Sequence, residues 1–276
     1  MKFAYLAIAL LATWSMAACS QVPSDTLAPR GNNISPAENK RYEELVLGAR
    51  GSFLEERRTL EGVDRSHERY KQALAIRSDD YVVLWEAART AVWLGNYGPK
   101  ERQEEWVRNG ITYANTALTI KPTGEEALFY DGALAGKLAD LDISYGPSGL
   151  ETIQKRMRQL IDQKSTYIYG GPDRVLAIVL MRAPGSPIGP GDWDLAEKHM
   201  TRAFEIDPTW PENQLYMAEL EFGLAKKRDD PTYAHKARAR LNEHLLHADA
   251  QSPMGSKFEF DLWQQDARKL LEDNKE

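Results

Sequence analysis

Five histidines, one cysteine and 41 acidic residues are the side chains of this 276-residue chain that could hold a metal, attack a carbonyl or move a proton. Among the histidines (His67, His199, His235, His244 and His247), only His244 and His247 share a helix face, three residues apart with Glu243 alongside. A zinc site needs three or four ligands with outer-shell support. None is apparent here, so the pair reads as a solvated helix face. A single cysteine excludes both a disulfide framework and a cysteine zinc site. Neither H-E-x-x-H nor G-x-S-x-G occurs, and Gly189-Pro-Gly-Asp192 lacks the Gly-Lys-Ser/Thr of a phosphate loop. The sequence therefore predicts no enzyme, no cofactor and no metal. Its net charge of −6 repels nucleic acid rather than gathering it.

Arg174 and Asp192 have a more specific reading, because they stand on opposite sides of the longest loop. An ion pair between them would fix that loop across a helix hairpin. Alternatively, the planar guanidinium of Arg174 suits bidentate contact with a ligand carboxylate. The structural role is the stronger expectation, and Gly170 and Gly171 beside it read as points of close backbone approach.

The elements that must position these residues form an array. Ala73-Leu-Ala-Ile-Arg-Ser78, Ala117-Leu-Thr-Ile-Lys-Pro122 and Ala203-Phe-Glu-Ile-Asp-Pro208 repeat one pattern, with a small residue (Ser66, Gly110, Ala196) seven positions earlier. Ala248 to Pro253 forms a weaker copy, and a degenerate unit centred near Leu160 fills the gap. Small residues two turns apart let one helix approach another, and Pro ends the second helix. The pattern resembles the tetratricopeptide repeat (TPR), lengthened from about 34 residues to a period of roughly 43–45. HEAT repeats have a comparable period and stand as the structural alternative. The extra residues are expected between the paired helices, at Gly95–Pro99, Tyr145–Pro147, Pro184–Pro190 and Arg228–Pro231. The fold class is all-α, an α-solenoid of about five TPR-like hairpins spanning residues 37–276. By repeat register, the first helices line a concave groove with Trp85, Arg89, Trp93, Phe129, Tyr169, Leu215, Glu219 and Phe222, and Arg174 nearby. Such an aromatic-rich face suits an apolar ligand or an extended peptide. The same spacing also serves interhelix packing.

At the other end of the chain, Met1–Ala18 (MKFAYLAIALLATWSMAA) has the three-part form of a secretory signal and is too short to span a bilayer comfortably. Cys19 follows Met-Ala-Ala, which resembles a bacterial lipobox with Met16 in place of the usual Leu. Acylation at Cys19 is the expectation, against ordinary cleavage after Ala17. Ser20 in the next position favours the outer membrane. Residues 19–36, rich in Pro, Ser and Asn, read as a flexible tether.

Beyond the generic repeat, Tyr167-Ile-Tyr-Gly-Gly-Pro-Asp-Arg174, Gly191-Asp192 and Pro208-Thr-Trp-Pro-Glu-Asn213 resemble the T-component family of TRAP transporters. Gly170, Gly171, Pro172, Arg174, Gly191 and Asp192 carry that likeness over about residues 40–250. The resemblance implies an all-helical periplasmic lipoprotein that oligomerises, with a trimer as the form to expect, and associates with a solute-binding partner. A general TPR scaffold for cell-envelope complexes is the alternative function.

Overall fold

The computed structural model of the chain describes residues 20–30, 33–54, 58–252 and 257–275; the expected signal segment 1–18 and Cys19 lie outside the described residues. The regular elements among them are helical, apart from one isolated bridge between Gly185 and Gly191. The all-α expectation is met. The chain divides into two compact units, one ending at Asp162 and one beginning at Gln163.

The first unit contains α1 (Pro36–Phe53), α2 (Leu60–Ile76), α3 (Tyr81–Tyr97), α4 (Lys100–Ile120), α5 (Glu125–Leu141), a 3-10 turn (Ile143–Tyr145) and α6 (Gly146–Asp162). The helices pack as the hairpins α1/α2, α3/α4 and α5/α6, with α2 against α3 and α4 against α5. Local chemistry starts these helices where the sequence placed them. Ser35 and Glu38 form a reciprocal capping box in front of Pro36. The Asp80 carboxylate accepts the Val82 and Val83 amides at the head of α3, satisfying donors that the helix itself cannot. It also accepts the Tyr42 hydroxyl at 2.9 Å, which ties α1 to α3.

The small repeat residues mark the helix crossings. Ser66 is fully buried and donates to the Ala49 carbonyl at 2.8 Å. A Cβ at Gly110 would stand 2.5 Å from Ala91 Cβ and 2.9 Å from Leu134 Cδ1. In the degenerate unit, α6, the buried Leu160 takes the place of the repeat alanine. Its close approach moves to Gly149, where a Cβ would lie 2.7 Å from Ala139 Cβ.

The second unit contains α7 (Tyr167–Arg182), α8 (Trp193–Ile206), α9 (Pro211–Arg228), α10 (Pro231–Arg240) with a π-helical turn (Leu241–Leu245), and α11 (Lys257–Asp273). Hairpins α7/α8 and α9/α10 follow the same plan, and α11 packs on α9. Phe260 and Trp263 of α11 close a core that includes Leu215, Phe222, Ala237, Leu241 and Leu245.

Three expectations need correction. The added repeat residues do not all enter loops: α3 and α4 have 17 and 21 residues with only Gly98 and Pro99 between them. Those two helices alone exceed a standard repeat of about 34 residues. In α7/α8, of 16 and 14 residues, the loop 183–192 does take them up. The copy at Ala248 is not a packing position. Ala237 of α10 and Leu241 of the π-helical turn are fully buried, and Ala248 lies exposed past the point where the Leu246 amide bonds Leu241 O and the helix ends.

Residues 20–30, finally, are not a free tether. They run as an extended strap hydrogen-bonded across α2, α4 and α6 of the first unit. Arg30 N–H donates to Ser78 Oγ (2.9 Å), Leu27 N–H to Thr116 Oγ1 (2.9 Å) and Val22 N–H to Ser148 Oγ (3.2 Å). Asn115 Nδ2 donates to Pro23 O at 3.1 Å, and Ser20 N–H to Ser144 O at 3.0 Å. A Pro- and Ser-rich segment forms no helix of its own, yet its backbone groups still find partners when hydroxyls are presented to them.

Candidate functional site

In the first unit, the candidate face is built by the first helix of each hairpin. Trp85 and Arg89 sit one turn apart on α3, and Phe53 ends α1. The Arg89 guanidinium carbon lies 4.1 Å from the Phe53 ring centre and 5.1 Å from that of Trp85. Trp85 stacks on Tyr130 of α5 at 6.3 Å and 13°. Beside them, Glu86 receives the Arg50 Nε–H at 2.9 Å and the Tyr70 hydroxyl at 3.3 Å. Burial, together with the neighbouring Glu86 charge, raises the Tyr70 phenol above its ordinary range, so it remains a donor. Glu86 is thus occupied by Arg50, and among the described residues Arg89 has neither a carboxylate partner nor a hydrogen bond to its buried Nε. A guanidinium held by two aromatic faces is positioned by cation–π attraction and keeps its hydrogen-bonding edge uncommitted.

The remaining groove residues of this unit are core. Trp93 is buried and packs edge-on against Tyr97, and Phe129 is buried edge-on against Tyr130. Trp85, Arg89 and Trp93 share one stripe of α3, and α5 packs along that helix. Phe53 and Tyr130 were missed. Phe53 lies at the end of α1, from which no groove residue was drawn, and Tyr130 is one position from the residue that register selected.

In the second unit, four of the six motif residues, Gly170, Gly171, Pro172 and Arg174, stand at a strained turn. Ile168, Tyr169 and Gly170 all have left-handed backbone angles (φ 48°, 55° and 83°). For residues other than glycine each such conformation costs about 1–3 kcal/mol and persists only when its surroundings enforce it. Arg174, fully buried, supplies the enforcement: it donates to Ile168 O and Tyr169 O (3.3 Å), to Asn213 Oδ1 (2.7 Å) and to Glu212 Oε2 (2.9 Å). The Asn213 amide continues the network to Tyr169 O, Ala203 O and Asp207 O. A side chain at position 170 would meet Ala203 Cα and O at 2.9 Å, so glycine is required there for space as well as angle. Gly171 and Pro172 then open the right-handed part of α7, where the missing proline N–H is harmless.

The expected Arg174–Asp192 ion pair does not form. Arg174 is committed to Glu212, while Asp192 caps α8 by accepting the Asp194 and Leu195 amides at 3.1 and 3.0 Å. Gly191 N–H donates to Pro184 O at 2.8 Å and closes the base of the loop. Of the other groove residues here, Leu215 and Phe222 are buried in the α11-capped core. Glu219 pairs with Arg182 through two hydrogen bonds of 2.9 and 2.6 Å. Tyr169, 49% exposed, stacks on Trp210 at 4.1 Å.

The histidines divide by environment. His244 and His247 are exposed, and His247 Nδ1 accepts the Asp249 amide at 3.1 Å. His199 Nδ1 lies 2.8 Å from Asp173, whose other oxygen is 3.6 Å from Arg202. His67 is fully buried against Thr90 at 2.9 Å, and burial pushes its imidazole down to about 4. Among the described residues no cluster of three metal-ligating side chains occurs, and no helix is long and apolar enough to cross a membrane.

Compared with known proteins, the chain matches no protein-family model and no curated protein. Solved structures do match. A thermophilic TPR protein from Thermus thermophilus superposes with a TM-score of 0.52 at 17% identity, over 84% of this chain and 99% of its own. That likeness shows the fold: the chain is a TPR-like helical-repeat protein.

Proposed function

We propose that this chain is a periplasm-facing lipoprotein, acylated at Cys19 and held at the outer membrane, that works by binding and not by catalysis. In this reading it is a T-component-like accessory of a TRAP-type uptake system. The partner is a solute-binding protein or the organic acid that such a protein carries, and the functional form is a small homo-oligomer such as a trimer.

The observation that carries the reading is Arg89. TPR-like arrays offer the face of their first helices to ligands, and here that face holds a guanidinium gripped by Phe53 and Trp85 with no carboxylate of its own among the described residues. A carboxylate, from an organic acid or an acidic side chain of the partner, is the group that such a fork accepts in bidentate fashion. Charge-assisted hydrogen bonds of this type contribute about 1.5–3 kcal/mol each.

In-cell cross-linking of the full-length protein, followed by mass spectrometry of the cross-linked species, tests the proposal. Recovery of a periplasmic solute-binding protein, lost on Arg89→Met, is the expected result. Recovery of peptidoglycan enzymes or assembly factors without a solute-binding protein overturns the transport role and leaves a general envelope scaffold. Self-cross-links alone overturn both partner readings.

A further inference from the structure

We propose that residues 20–30 are a stay that seats the acylated N-terminus on the Ile143–Pro147 corner of the first unit, so that this corner rests against the phospholipid surface. The inference builds on acylation at Cys19 and adds how the protein meets the membrane.

A free segment of the length between Cys19 and α1 would let the body drift some 20–25 Å from its anchor, taking about 5–6 Å times the square root of the residue number. The strap removes that freedom. One hydroxyl on or just past each second helix of the unit receives a strap amide: Ser78 two residues beyond α2, Thr116 on α4 and Ser148 on α6. Two of these hydroxyls donate back, Ser78 to Ala28 O and Ser148 to Ser20 O, both at 2.8 Å. The Arg30 guanidinium adds a bond to Ala75 O at 2.8 Å. Attachment at both ends and in the middle makes the segment part of the unit.

Its first described residue is clamped by three contacts. Ser20 donates its amide to Ser144 O, accepts from Ser148 Oγ, and shares a hydroxyl contact of 3.0 Å with Ser144. One peptide unit spans about 3.8 Å between successive Cα atoms. A lipid carried by the residue before Ser20 therefore leaves the protein at the Ser144 corner and nowhere else.

The chemistry of that corner suits the headgroup boundary. Ile143 is 69% exposed and Pro147 is exposed, an apolar pair at the surface of the described residues. Tyr145 between them presents an amphipathic ring of the kind enriched at membrane–water interfaces. Arg108 lies over that ring at 5.1 Å, donates to its hydroxyl at 2.7 Å and pairs with Glu104 at 2.8 Å, an exposed ion pair from which a lipid phosphate could draw the guanidinium. The nearby Asp142 carboxylate accepts the Ser144 amide at 2.9 Å. It is also held low by that bond, with Arg108 adding to the effect.

Full-length protein, reconstituted in vesicles of phosphatidylethanolamine and phosphatidylglycerol, tests this directly. Because Cys19 is the only native cysteine and is consumed by acylation, a nitroxide can be placed at Ile143→Cys or at Leu47→Cys. Leu47 is the 74% exposed apolar residue of α1. The expected result is a label at 143 reached more readily by oxygen than by a water-soluble nickel chelate, and a label at 47 with the opposite preference. Aqueous behaviour at both positions, with mass spectrometry showing acylated Cys19, overturns the stay and leaves the lipoprotein reading intact. An unmodified Cys19 overturns the acylation itself. The triple variant Ser78→Ala, Thr116→Val, Ser148→Ala removes the three hydroxyl clips. It should return the 143 label to water with helix content and acylation unchanged; unchanged membrane contact overturns the role of the strap.

Discussion

Replacing Gly110 by Ala, with Gly51→Ala as its counterpart, separates the two things a helical glycine does. Both sit inside helices, so an added methyl removes the same backbone-entropy penalty and favours the helix by up to about 1 kcal/mol. At Gly51 nothing lies within 4 Å of the new Cβ, and that gain stands alone. At Gly110 the methyl arrives 2.5 Å from Ala91 Cβ and 2.9 and 3.0 Å from the two Leu134 methyls, where carbon contacts prefer about 3.5–4.0 Å. Ala91 cannot rotate away, because its Cβ is fixed to the backbone of α3. The helices must separate by several tenths of an ångström or more, and overpacking of this kind costs about 1–3 kcal/mol. Crowding wins. Gly110→Ala should destabilise the first unit by about 1–2 kcal/mol, and Gly51→Ala should stabilise it by a few tenths to about 1 kcal/mol. In thermal unfolding followed by circular dichroism, a change of 1 kcal/mol moves the midpoint by about 2–4 °C for a chain of this class. The two variants should therefore move in opposite directions. A Gly110→Ala protein as stable as the parent would refute the claim that small residues set the spacing between α3 and α4.

Further predictions follow from individual side chains. His67 is neutral in the folded protein with a pKa of about 4, against 6.5 unfolded, because burial opposes its charge. The unfolded state binds the extra proton, so stability falls as pH drops from about 6.5 to 4, by up to roughly 3 kcal/mol. Calorimetry at several pH values should show a shallower acid-side loss for His67→Asn, and an identical slope would exclude His67 as the source. Arg174→Met should destabilise the second unit by about 3–5 kcal/mol, since it takes the cation from the buried Glu212 carboxylate and a donor from two turn carbonyls. Asp192→Ala should cost about 1 kcal/mol through the lost α8 cap. In a double-mutant cycle its effect should add to that of Arg174→Met within about 0.5 kcal/mol. A large coupling would restore the ion pair that the structure does not contain. Arg89→Met should leave the melting midpoint within a few degrees of the parent while abolishing recovery of the cross-linked partner.

Helix order could be read from the sequence because its signals are local: an Ala-x-x-Ile ending, a Pro after it, an acidic or hydroxyl cap before the next helix. Where a particular helix stops was less legible. Gly95-Asn-Tyr-Gly-Pro99 has the composition of a loop, yet α3 continues to Tyr97, and the Gly98 amide still bonds Leu94 O. The partner of Arg174 was hidden for a different reason. Asp192 and Glu212 both flank it in the motif, and the choice between them is made by the left-handed turn at 168–170. That turn aims two carbonyls at the guanidinium and has no pattern of its own apart from Gly170. The strap was the least legible part. Its hydrogen bonds join positions 48, 89 and 126 residues apart, while composition reports only that the segment is no helix.

Arg174 and Arg89 stood together in the groove that repeat register drew, and energetics separates them. Arg174 is enclosed with four partners, one of them a carboxylate that is itself buried. To bind a ligand it would have to give up its ion pair with the buried Glu212, a loss of about 3–5 kcal/mol. A new charge-assisted hydrogen bond returns only about 1.5–3 kcal/mol. Exchange is therefore uphill, and Arg174 remains a structural residue whatever solute is present. Arg89 breaks no bond when an anion arrives. Its two rings remain in contact with the cation. An added carboxylate would thus break no bond at Arg89 and several at Arg174, which is why the proposed binding falls on the first unit's face while Arg174 holds the turn of the second.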